Sequence, residues 1–209
     1  MNTNHIFVIN GGQVFGHSGG RFNKTIFDTT IDFFQEQEGY EVRFTDINQP
    51  YDLKQEVANF VWADVIIYHT PIWWFQLPHA FKKYLDLVFT EGHQQGIYRN
   101  DGRSLANPAI NYGTGGQLHG RNYMLTTSWN APETAFTLPG EFFNQKSVDD
   151  GPLFGFHRMN AFTGLAPLKS IHFHDIEKNA DVEKELKRYR QHLQAVFTEV
   201  SVAEELVVS

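Results

Sequence analysis

The stretch Asp64-Val65-Ile66-Ile67-Tyr68-His69 is nearly all apolar, with no alternation and no helical spacing. A run this short and this uniform predicts a strand covered on both faces, as in a parallel sheet. A second such run, Ile6-Phe7-Val8-Ile9, lies near the start of the chain. It passes into the turn Asn10-Gly11-Gly12, then into the polar loop Gly16-His17-Ser18-Gly19-Gly20, and then into a helical pattern from Phe22-Asn23. Strand, small-residue loop and helix start together make an anion site. Unpaired N–H groups and the positive end of the helix dipole point at the loop, and glycine lets a phosphate approach the backbone. The loop has no G-x-x-x-x-G-K-[ST] pattern and no G-x-G-x-x-G, so neither common nucleotide signature applies. An ordinary glycine turn remains the plain alternative for this stretch taken alone.

The rest of the chain repeats the alternation. Phe22, Ile26, Phe33 and Phe34 fall near one helical face, with Gly39 as a C-cap. Residues 41–47 read as a second strand, and Asp52 starts a helix carrying Leu53, Val57, Phe60 and Val61. After Thr70-Pro71 and Ile72-Trp73-Trp74-Phe75, Pro78 opens a helix whose apolar face is Phe81, Tyr84, Leu85 and Val88. Residues 90–121 have little periodicity and read as an excursion from the sheet. Tyr123–Thr127 is a fourth strand ending at Ser128-Trp129-Asn130-Ala131-Pro132, and Phe154–Phe162 a helix. Ile171–Ile176 is a fifth strand, and Val182, Leu186, Tyr189, Leu193, Val196 and Val200 mark a closing amphipathic helix. The expectation is one α/β domain over residues 1–209, with five parallel strands in the flavodoxin-like order 2-1-3-4-5 and helices on both faces.

In such a sheet the ligand sits beyond the carboxyl ends of the strands. Loops 10–25, 70–77 and 127–132 leave those ends. One is glycine-rich and two carry tryptophan, which suits a phosphate group beside a flat heterocycle such as a flavin. Composition narrows the field. A formal charge of −7 disfavours a nucleic-acid partner, and no apolar run approaches a membrane span. The first residues lack the regions of a signal peptide. With 0 cysteines there is no disulfide frame and no thiol nucleophile, so redox chemistry needs a bound cofactor, and a cytoplasmic location fits. His172 and His174 share a strand face, but no third ligand lies near in sequence. Hydrogen-bonded or half-exposed histidines are expected there, and no metal. The Glu/Lys run from Glu177 to Lys187 reads as a solvated helix face.

Several of these pieces together resemble a known family. His17-Ser18 with Phe22-Asn23, and Pro71-Ile72-Trp73-Trp74-Phe75 with Pro78, look like the flavodoxin-like NAD(P)H:quinone oxidoreductases. The bacterial modulator of drug activity B subgroup is the nearest in kind. Its marks also appear in Trp62-Ala63-Asp64, in Lys82-Lys83-Tyr84 leading to Val88-Phe89-Thr90-Glu91-Gly92-His93, in Tyr112-Gly113 with Gly115-Gly116, and in Trp129-Asn130-Ala131-Pro132. The resemblance implies tightly bound FAD, reduction by NADPH or NADH, a quinone substrate of the menadione kind, and a homodimer. It implies a phosphate loop of His17, Ser18, Gly20, Phe22, Asn23 and Thr25. Pro71, Ile72, Trp73, Trp74 and Phe75 would wrap the isoalloxazine, and Ser128, Trp129, Asn130 and Ala131 would contact its ring. Tyr112 would complete the site from the other subunit. The subgroup favours glycine where this chain has Ile72, which leaves substrate preference open. No counterpart of the animal enzymes' proton-transferring tyrosine and histidine aligns after Thr127, so no acid or base is assigned. Other classes stay open: a flavodoxin-type electron carrier, a non-catalytic flavin-binding sensor, or an azo- or nitroreductase.

Overall fold

The computed structural model describes residues 4–16, 18–178 and 180–208, with side chains up to residue 198. Its strands are β1 (Asn4–Asn10), β2 (Tyr40–Asp46), β3 (Val65–Pro71), β4 (Asn122–Ser128), β5 (Ala166–Pro167) and β6 (Ile171–Phe173). Its helices are α1 (Arg21–Gln35), α2 (Leu53–Trp62), α3 (His79–Glu91), α4 (Thr134–Thr137), α5 (Phe154–Thr163) and α6 (Val182–Val208). All strand pairs are parallel, in the order β2-β1-β3-β4-β5, with β6 also on β4. That is the expected order with one strand more.

The extra strand comes from a broken edge. β5 pairs with the start of β4 at Asn122 and Tyr123, and β6 with its end at Thr126–Ser128. Pro167 can give no further ladder donor, so the edge is interrupted before it resumes at Ile171. The expected fifth strand therefore ends at Phe173 rather than Ile176. A second correction concerns α1. Its C-cap is Glu36, and Gly39 sits three residues later in the turn into β2, at φ 87°.

The uniform apolar runs become the middle of the sheet. β3 is buried at every position. Ile66 and Tyr68 face α2 and α3 with Phe60, Phe81, Tyr84 and Leu85, while Val65 and Ile67 face α1 and α6 with Ile26, Phe34, Tyr189 and Leu193. Asp52 caps α2 as expected, its Oδ1 accepting from Gln55 N at 2.9 Å. Val200 lies beyond the described side chains. Among the described residues no helix is long and apolar enough to cross a membrane.

The stretch between α3 and β4 carries no strand or helix. Ile97 and Leu118 pin it to the core at 0% exposure. Between them Leu105, Ile110 and Tyr112 lie open on the surface.

Candidate cofactor cleft

The carboxyl ends of β1, β3, β4 and β6 open into one cleft of about 650 Å³. Asn23, which lines it, is held from behind by a knot of hydrogen bonds. Oδ1 of Asn10, at the end of β1, accepts from Gly12 N at 3.0 Å and from Asn23 Nδ2 at 2.6 Å. The His69 carbonyl accepts from Gly11 N at 2.7 Å and from Asn23 Nδ2 at 3.3 Å. Any Cβ at residue 12 would lie 2.6 Å from Asn23 Nδ2, so this position demands glycine. The loop then turns back on itself, with Phe15 and Ser18 exchanging backbone hydrogen bonds at 3.1 and 3.0 Å. Gly20 caps α1 in the left-handed region at φ 65°, with no side-chain cap. The first-turn N–H groups of α1 have no intrahelical partners, and Arg21, Phe22 and Asn23 line the cleft there. An anion is what such a terminus binds.

The second loop forms one wall. Ile72 N donates to Ser128 O at 2.9 Å, tying it to the third loop. Trp73 and Gln76 exchange backbone hydrogen bonds at 3.0 Å each, around Trp74 at φ 49° and Phe75 at φ 65°. This is the two-residue turn of the I′ kind, normally built from Asn and Gly. Trp and Phe in it carry a strain of roughly 1–2 kcal/mol per residue. Trp73 is half-buried and stacks on Phe15, with ring centroids 5.3 Å apart. Trp74 is 91% exposed.

The third loop makes the other wall. Trp129 is buried, its backbone N donating to Phe173 O at 2.8 Å and its indole Nε1 to Thr127 Oγ1 at 2.7 Å.

Of the residues singled out by sequence, Ser18, Gly20, Phe22, Asn23, Thr25, Pro71, Ile72, Trp73, Ser128, Trp129 and Asn130 line this cleft. Trp74, Phe75, Ala131 and Tyr112 do not. Phe75 turns away to stack on Phe142, with centroids 5.2 Å apart. His17 lies outside the described residues. Ile176, Glu177 and Val182 complete the cleft and were not anticipated. They follow the edge strand, and reading Glu177 only as the start of a charged helix face hid that it borders the cleft. Lys184 and Lys187 further on do face solvent.

Behind this knot, His69 is completely buried, with Nδ1 2.6 Å from Thr126 Oγ1 and Nε2 3.0 Å from Thr30 Oγ1. Burial pushes its pKa down to about 3. In the unfolded chain it titrates near 6.5. Below that pH the unfolded state binds a proton that the folded state refuses, so stability is lost as pH falls from about 6.5 toward 3. The slope for one such group is about 1.4 kcal/mol per pH unit. Thermal unfolding followed between pH 7 and 5 checks this: His69→Gln should flatten the decline by about that slope, and an unchanged decline contradicts it.

Comparison with known proteins agrees with this geometry. Residues 4–196 match the model of a family described as having the flavodoxin-like fold. The NADPH:quinone oxidoreductase MdaB of Haemophilus influenzae is 40% identical over 92% of this chain and 99% of its own length. An uncharacterized protein of Schizosaccharomyces pombe is 45% identical over 92% of this chain and 96% of its own. Among solved structures, general stress protein 14 of Treponema denticola in complex with FMN superposes with a TM-score of 0.60. It is 19% identical, covering 92% of this chain and 96% of that one, and shares the fold. The chain belongs to the flavodoxin-like fold family and, within it, groups with MdaB.

Proposed function

We propose that this protein is a cytoplasmic NAD(P)H:quinone oxidoreductase that holds FAD and works as a homodimer. One observation carries the reading: the uncapped start of α1, with Gly19 and Gly20 before it, lies in the same cleft as Ile72, Trp73 and Trp129. The relative from Haemophilus influenzae bears that activity in its name. Two features of the cleft fit a flavin dinucleotide. The α1 terminus offers N–H donors and the Arg21 side chain to a pyrophosphate. The cleft also continues past that terminus to Ile176, Glu177 and Val182, giving the second nucleotide half a place to lie.

When bound, a flavin supplies hydride exchange between a reduced nicotinamide and a quinone. The chain's own residues bind and orient. Ser18 and the first turn of α1 hold the phosphates. Ile72 and Trp73 form one wall of the ring slot. Ser128, Trp129 and Asn130 would border the ring from the other wall, where a free backbone N–H would favour negative charge on it. These walls would orient nicotinamide and quinone against the bound flavin, so positioning would supply most of the rate.

Mass analysis of the nucleotide released from the purified protein, with menadione reduction assayed with NADPH and NADH, tests the reading. FAD and steady-state turnover are expected. FMN without turnover would favour an electron carrier, and bound FAD without turnover a sensor.

The strained turn gives a separate expectation. Trp74→Asn together with Phe75→Gly relieves the left-handed strain and loses little packing at Trp74. The flavin-free protein should gain about 1 kcal/mol and melt a few degrees higher, with flavin affinity unchanged because neither side chain lines the cleft. A lower melting temperature contradicts this account of the turn.

A further inference from the structure

A line of polar groups runs along one face of β4 toward the cleft, from the half-exposed Asp149 inward to the buried Trp129. Tyr123 OH lies 2.6 Å from Nδ1 of His157 on α5. Nε2 of His157 lies 2.8 Å from Oδ1 of Asp149. Nε2 of His172 on β6 is 3.3 Å from the same oxygen, within ion-pair reach though not aligned as a hydrogen bond. Nδ1 of His172 is 2.7 Å from Thr127 Oγ1, and that oxygen accepts the indole N–H of Trp129 at 2.7 Å. Asp149 thus joins the loop before α5 to three other elements and ends, through two intermediaries, at a residue of the cleft wall.

The loop is built to hold Asp149 there. Val148 before it and Leu153 after it are buried, and Leu153 N donates to Val148 O at 3.0 Å. Ser147 Oγ donates to Asp150 at 2.8 Å and accepts from Asp150 N at 3.0 Å. Burial by itself would raise the Asp149 carboxyl, yet the two histidines carry it well below the usual carboxylate range. A permanent carboxylate gives the line a direction. It accepts only, so it selects the Nε2–H form of His157, and its charge 3.3 Å from Nε2 of His172 favours a proton on that nitrogen too. Nδ1 of His172 is then an acceptor for the Thr127 hydroxyl proton, and Thr127 Oγ1 keeps its lone pairs for the Trp129 indole. An amide at residue 149 could donate to His172 instead and reverse the sequence.

We propose that Asp149 is a positioning residue for the cleft: acting through His172 and Thr127, it fixes the Trp129 indole and with it the wall of the cofactor slot. This rests on the flavin reading of the cleft, but its first readout does not. In a ¹H–¹⁵N spectrum of the purified protein, Trp129 supplies one of 4 indole resonances, assigned by Trp129→Phe. Asp149→Asn and His172→Gln should each move that resonance and leave the other tryptophans in place. Flavin titration of the same variants should show a dissociation constant raised about ten-fold. The decisive arm is a double-mutant cycle. In a Thr127→Val background, Asp149→Asn should alter the constant by less than about two-fold, because the route is already cut. A merely structural Asp149 would give the same loss in both backgrounds, and that overturns the proposal. So does an indole resonance that stays put in both single variants. If Asp149→Asn fails to fold, the cycle is run with His172→Gln. If the wild type binds no flavin, the cleft reading fails and the indole resonance alone decides the brace.

Discussion

Asn23→Ala should weaken flavin binding by about ten- to a hundred-fold and lower the stability of the flavin-free protein as well. Asn23 is 5% exposed, and its amide nitrogen already serves Asn10 Oδ1 and the His69 carbonyl. Deleting the amide takes from the buried Asn10 oxygen one of its two donors. Such a loss costs about 1–3 kcal/mol, which brackets the stated range in affinity where it falls on the bound state. Its effect reaches the ligand because Asn23 itself lines the cleft in the first turn of α1, so the N–H groups offered to the phosphate loosen with it. Ser18→Ala provides the contrast. Ser18 borders the cleft, and its loop is closed by backbone bonds to Phe15 that the substitution leaves intact. Losing one hydroxyl contact to a charged group should cost about 1.5–3 kcal/mol of binding, with the flavin-free melting temperature unmoved. Isothermal titration with FAD and thermal unfolding without it separate the two. Equal melting losses, or an unchanged FAD constant in Asn23→Ala, would show that the knot does not support the ligand.

That division of labour was not legible in the sequence. Asn23 could be placed at the loop because a strand, glycines and a helix start surround it. Its partners, Asn10 and His69, lie 13 and 46 residues away. Only the β1–β3 pairing brings them together. The same holds for Trp129, whose place after β4 was readable but whose tether to Thr127 and His172 was not. Strand order and the ends that carry the site were readable, since uniform apolar runs and Pro-ended strands report burial locally. The split edge was not, because β5 and β6 are short and take their form from β4. Trp73 and Trp74 show the limit at single residues. Adjacent and identical, they differ in fate: one stacks on Phe15 and the other stands out in solvent, a difference set by the left-handed turn.

Tyr112 should act on the flavin of the partner subunit. In its own chain it is 70% exposed and away from the cleft. Its ring centre lies 5.8 Å from that of Phe162 and 5.5 Å from the Arg103 guanidinium, which Asp101 holds at 2.9 and 2.6 Å. The turn that presents it is tight. Gly102, at φ 90°, leaves no room for a Cβ, which would meet Asn111 O at 2.4 Å. A closed loop, Gly113 N donating to Asp101 O at 2.7 Å, that displays a tyrosine with Leu105 and Ile110 exposed beside it is poorly explained in an isolated chain. It is well explained by a two-fold partner, whose cleft would receive the tyrosine while its surface covers the leucine and isoleucine. Light scattering should give the mass of a dimer. Chains carrying Tyr112→Ala, mixed by refolding with chains carrying Asn23→Ala, distinguish a shared site from a self-contained one. In the mixed dimer one site pairs a sound loop with a sound tyrosine, and the other pairs both defects. Equal mixing puts half of the chains' dimers in that form, so activity should recover to about a quarter of wild type over the parents' residual level. A tyrosine serving its own chain leaves every site with one defect, and the mixture then shows only the average of its parents.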